Sequence, residues 1–125
     1  MPTRLSTVAP DIESALLNAS TTVCVIAALE VARWAANEVG LFSENYSKAI
    51  SEGNTAEVES LSAALDEQYF SQPEESPDRL VFFSRARAAS AIAFALAQKP
   101  TDAIYEAIIA TNDPTSIRRV LSEVM

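Results

Sequence analysis

The side chains able to do chemistry in this chain are almost all carboxylates: 17 Asp and Glu stand beside one cysteine and no histidine. Without histidine, zinc fingers, Cys–His nucleophiles and Ser–His–Asp triads are all unavailable. Carboxylates can act as general acids and bases or bind magnesium or calcium. Here, however, no D-x-D-x-D-G loop frames them and no Glu-x-x-His pair exists. The expectation is therefore no enzyme, no cofactor and no metal. Cys24 excludes an internal disulfide and sits in the most apolar run, where it reads as a small buried hydrophobe.

The carboxylates are unevenly placed. From Glu38 through Asp78 ten acids face one base, Lys48, for a net −9, while the remaining seven acids and eight bases sum to +1. Charge runs usually form a solvated face that keeps a protein soluble. This one also carries aromatic groups at Phe42, Tyr46, Tyr69 and Phe70, and acids rimming exposed aromatics suit recognition of a basic protein surface. The candidate partner-binding residues are Glu57, Glu59, Asp66, Glu67, Tyr69, Phe70, Glu74 and Glu75. Nucleic acid is disfavoured, because its phosphates would be repelled. Arg85 and Arg87 lie on different faces of an apolar stretch, each expected to reach water or a neighbouring helix's acid. A phosphate-binding role for them lacks a Gly-rich loop.

The elements that must position these groups read as helices. Nearly half of the 125 residues are apolar, only two are glycine, and alanine fills the periodic segments. The expected fold class is all-α: one domain, residues 1–125, with five to seven helices around two central apolar ones at about 22–39 and 77–98. In the first, Glu30, Arg33 and Asn37 form a narrow polar stripe on an otherwise apolar cylinder, with Trp34 in the core near Phe42. Thr21 or Thr22 is expected to cap it and Gly40 to end it.

Residues 1–9 read as a loosely ordered arm. A short helix follows from Pro10, with Ile12, Leu16 and Ala15 inward. Leu41-Phe42 re-enters the core, a helical piece runs to about Glu52, and Asn54 with Glu57 has capping-box spacing. The helix at about 55–70 is amphipathic, with Val58, Leu61, Leu65 and Tyr69 inward. Residues 71–77 form a loop, and Ser76-Pro77-Asp78 starts the second central helix. Its Ala86, Ser90, Ala93 and Ala97 make a small face, expected to cross the alanine face of the first central helix closely. Lys99-Pro100 and Asn112-Asp113-Pro114 then open two further helices, the earlier with Ile104, Ile108 and Tyr105 inward, the later with Ile117, Val120, Leu121 and Val124. Buried strands at Val23–Ile26 and Leu80–Phe83 are the alternative, but both runs open long alanine-rich stretches.

The longest uninterrupted apolar run, Val23 to Leu29, is far shorter than the ~20 residues a bilayer needs. The N-terminus has no apolar core behind a basic start, so cytoplasmic residence without membrane contact is the default expectation.

The order Glu30-Val-Ala-Arg-Trp34-Ala-Ala, Leu41-Phe42, an acidic helix, then Arg85-Ala-Arg87-Ala-Ala-Ser-Ala resembles small helical immunity proteins of bacterial polymorphic and contact-dependent toxin systems. The likeness spans the middle two-thirds of the chain and carries no diagnostic motif, so no family residue transfers to it. It implies tight binding of a cognate toxin domain, often a nuclease with a basic groove, through acidic surface residues. Two other readings stand beside it: a self-associating helical adaptor, as a homodimer, and a carboxylate-dependent enzyme.

Overall fold

The computed structural model describes residues 4–40, 52, 55–71, 73 and 78–125. Among these the chain is all-α, with helices α1 (Arg4–Val8), α2 (Pro10–Leu17), α3 (Thr21–Glu38), α4 (Thr55–Ser71), α5 (Asp78–Leu96), α6 (Pro100–Thr111) and α7 (Pro114–Val124). The expected piece around Leu41-Phe42, the Asn54 capping box, and the loop and cap at Gln72 and residues 74–77 lie outside the described residues, as does the Leu61 side chain.

Local chemistry sets the helix ends. Pro10, Pro100 and Pro114 occupy first-turn positions, where a missing N–H costs nothing. The cap of α3 is Ser20 rather than Thr21 or Thr22: its hydroxyl accepts the Val23 N–H at 3.2 Å. Beyond α3, Gly40 takes φ +72°, the left-handed conformation that glycine adopts without steric cost. Asp113 caps α7, its carboxylate accepting from the Ser116 N–H at 3.1 Å and the Ser116 hydroxyl at 2.6 Å. Those bonds hold the Asp113 carboxyl below the usual carboxylate range. At the end of α5 the Lys99 N–H reaches the Phe94 carbonyl at 2.9 Å and the Gln98 N–H the Ala95 carbonyl at 3.1 Å. This is the double closure of a Schellman motif, here with Gln98 rather than glycine in the left-handed position, at φ 62°.

One continuous core draws on every helix, from Leu5 of α1 through Ile12, Val31, Val58, Ile92 and Ile104 to Ile117 of α7. The two long apolar helices are both heavily buried. In α3 the alanines 27, 28, 32 and 35 are fully covered, while Glu30, Arg33 and Asn37 form the exposed stripe the sequence indicated. Ile26 continues that stripe and is 51% exposed, and Trp34 is half-buried rather than central. Cys24 is buried and its thiol bonds the Leu16 carbonyl at 3.1 Å, as suits a structural residue.

Three features depart from the sequence reading. Residues 4–9 are not an arm: Leu5 and Ala9 are essentially inaccessible, so two apolar side chains anchor α1 on the core. Ala15, expected inward, is exposed. The small face of α5 meets α4, where Ser62 bonds Ser90 at 3.0 Å and the Ala86 carbonyl at 3.5 Å, while α5 also packs on α3. A second alanine-rich helix, α6, packs extensively on both α3 and α5, burying Ala103, Ile104, Ala107, Ile108 and Ala110. Elsewhere, Arg118 of α7 clasps Asp11 of α2 with bonds of 2.7 and 3.1 Å, which lowers the Asp11 pKa and raises that of Arg118. No described helix is long and apolar enough to cross a membrane.

Candidate functional site

The acidic helix α4 divides its surface by period. Val58 is fully buried, with Leu65 and Tyr69 on the same inward side; Glu57, Glu59, Glu67 and Phe70 are exposed. At about 100° per residue, Glu59, Asp66 and Phe70, spaced seven and four apart, share one flank. Glu67 points away from the core and Glu57 lies on the far flank. On α5, Leu80, Arg87 and Phe94 recur every seven residues and share a flank likewise.

The pairs Ser62–Ser90, Asp66–Arg87 and Tyr69–Phe83 run in opposite directions along the two helices, so α4 and α5 form an antiparallel hairpin. Their flanks make one continuous face with three parts. At one end is a cleft of about 250 Å³, floored by Ser62, Ser90, Ala93 and Ala97 and rimmed by Glu59, Phe94 and Lys99. The Lys99 ammonium lies 6.0 Å from the centre of the Phe94 ring. At the other end Phe70 and Leu80 are 74% and 73% exposed.

Between them lies an ion-pair chain that enters the core. Arg87 donates to Asp66 at 2.9 Å and, with its other terminal nitrogen, to Glu106 of α6 at 3.4 Å. The same Glu106 faces Arg4 of α1 at 3.6 Å, and Arg4 bonds Asp102 at 3.2 Å while lying 4.5 Å above the Tyr105 ring. Helices α4, α5, α6 and α1 are thus tied by alternating charges, as Arg87 was expected to be tied to a neighbouring acid. Among the described residues, Arg87 Nε is buried without a hydrogen-bond partner. Burial raises the Glu106 pKa above its usual value, against the opposing pull of Arg87 and Arg4. Arg85 instead serves the backbone, its Nε donating to the Val39 carbonyl at 3.2 Å and satisfying the C-terminal end of α3.

These contacts sort the candidate binding residues. Glu57, Glu59, Glu67 and Phe70 are exposed on α4; Glu74 and Glu75 lie outside the described residues. Asp66 and Tyr69 are largely committed inward. Asp66 neutralises Arg87, and Tyr69 packs at 5.4 Å on Phe83 beneath the Arg79 guanidinium, 4.5 Å from the ring centre. The expectation that Asp66 is a free surface acid is corrected, because a cation at the core boundary must be neutralised by a nearby acid. Sequence reasoning missed Glu106, Arg4, Phe94 and Lys99. One signal for the first was present: Glu106 is a lone acid in the apolar run Ala103-Ile-Tyr-Glu-Ala-Ile-Ile-Ala110.

No family model, curated protein or solved structure matches the chain.

Proposed function

We propose that this chain is a non-catalytic protein-binding protein that holds a basic partner against the exposed face of the α4–α5 hairpin, in the manner of an inhibitor that neutralises a toxin domain. The observation that carries the reading is the company Phe70 keeps. An aromatic ring 74% exposed stands on a helix whose Glu57, Glu59 and Glu67 are also exposed, inside the segment that carries the whole excess of negative charge. Exposed aromatics supply contact energy at interfaces, and surrounding charge supplies orientation and encounter rate. Asp66 and Tyr69 support this face from within.

Capture of partners from the source cell, identified by mass spectrometry, is the first test. Stopped-flow association of that partner with wild type and with Glu59→Lys/Glu67→Lys across a salt series is the second. Exposed charges are screened over about 10 Å at 0.1 M salt, so the variant should associate more slowly and with a flatter salt dependence. Equal rates and slopes would reduce the acidic face to a solvated surface. The self-associating reading rests on Leu17 and Ile26, which are 77% and 51% exposed. Sedimentation showing a concentration-dependent dimer, abolished by Ile26→Glu, would favour it.

A further inference from the structure

The cleft at the α4–α5 hairpin holds two charged side chains, Glu59 and Lys99, that form no ion pair among the described residues. Its floor pairs Ser62 and Ser90, which bond each other at 3.0 Å, with the methyl groups of Ala93 and Ala97. Such a floor suits an alkyl stem. Its rim is charged: Glu59 is exposed and forms no ion pair among the described residues, whereas Asp66 is already taken by Arg87. Phe94 presents a ring face, and the chain's own Lys99 ammonium stands 6.0 Å from that ring's centre. Lys99 likewise has no ion-pair partner among the described residues, although Glu59 lines the same cleft. An ammonium on an aromatic face is attracted by the ring quadrupole, weakly when exposed and more strongly once water is excluded.

We infer that this cleft receives a single lysine side chain of the protein partner, and that Lys99 stands in for that lysine until the partner arrives. The incoming stem lies along Ala93 and Ala97, and its ammonium takes the position between the Phe94 ring and the Glu59 carboxylate as Lys99 swings out to solvent. Lys99 is exposed and held by that ring alone among the contacts described, so its departure costs little. The inference rests on the binding reading above and gives that partner a required chemistry: an exposed lysine on its basic surface.

The test uses the full chain, isotopically labelled for amide NMR, and Nα-acetyl-lysine methylamide as probe. Shifts should be confined to residues around Glu59–Asp66 and Ser90–Lys99, with affinity in the millimolar range that a single side chain can reach. The Nε-acetylated probe, which keeps the stem and loses the charge, should leave these amides unmoved. Glu59→Gln should weaken the lysine probe about three- to fivefold, and Lys99→Ala, which removes the competing ammonium, should tighten it by a similar factor. Shifts scattered over all acidic residues, equal response to both probes, or no gain in Lys99→Ala would each overturn the inference. If the probe binds here but no basic partner exists, the binding reading fails and the site stands. If a basic partner binds the acidic face and the probe does not bind, only the lysine site is lost.

Discussion

Arg87 reaches Glu106 at 3.4 Å, joining two charged groups of adjacent helices where the carboxylate side chain is only 5% exposed. Because burial outweighs Arg87 and Arg4, the Glu106 carboxyl titrates above its ordinary 4.5 in the folded protein. The folded state then binds this proton more readily than the unfolded chain, so its contribution is fully present below pH 4.5 and lost as pH rises through the raised value. Glu106→Gln removes that dependence. The stability of wild type minus that of the variant should therefore fall from pH 4.5 toward neutrality, read by urea denaturation at several pH values. A flat difference would mean the guanidinium groups fully offset the desolvation.

Charge reversal at two neighbouring acids should have unequal costs. Asp66→Lys places a cation against Arg87, a pair now 2.9 Å apart, and breaking such a partly buried pair is expected to cost about 2–4 kcal/mol. Glu67→Lys alters an exposed side chain and should stay within about 0.5 kcal/mol. Urea midpoints of the two variants decide it, and equal midpoints would remove the structural role of Asp66.

On α5, Ala88 is fully buried whereas Ala93 opens onto the cleft at 9% exposure. A close crossing along the small face, which includes Ala93 and not Ala88, would make leucine at Ala93 the harsher change. The structure reverses the order: Ala88→Leu should cost about 1–3 kcal/mol through overpacking, and Ala93→Leu less, because the cleft can take the added methyl groups. Thermal melting of both proteins gives the ranking.

Leu5→Ala should destabilise by about 2–5 kcal/mol, the usual cost of truncating a fully buried leucine. Trp34 is half-buried, so Trp34→Ala should fall below the roughly 3–5 kcal/mol of a fully buried ring. An unchanged midpoint for Leu5→Ala would return residues 4–9 to the status of an arm.

Gln98 closes α5 in the left-handed conformation, which costs a residue with a Cβ about 1 kcal/mol more than glycine. Gln98→Gly is expected to raise the melting temperature despite the added freedom of the unfolded chain. A drop would show that the Gln98 side chain contributes more than its backbone costs.

The helical class and most inward-facing positions were legible in the sequence, because they depend on local terms. Alanine-rich runs favour helix, prolines and caps mark the starts, and a 3.6-residue period separates Val58 and Ile104 from Glu57 and Asp102. The candidate face was legible only as a net charge. Which acids are committed inward depends on what lies across the gap, and no period along one helix encodes that. Asp66 and Glu67 are adjacent in sequence, yet one neutralises Arg87 and the other faces solvent. Likewise Leu5 lies in a polar stretch whose local propensity says little, and only its docking against the core orders α1. The small face of α5 was visible as a stripe, but a stripe fits any close neighbour. Only the antiparallel return of α4 decided that Ser62 fills part of it and leaves the rest as a cleft under Phe94 and Lys99.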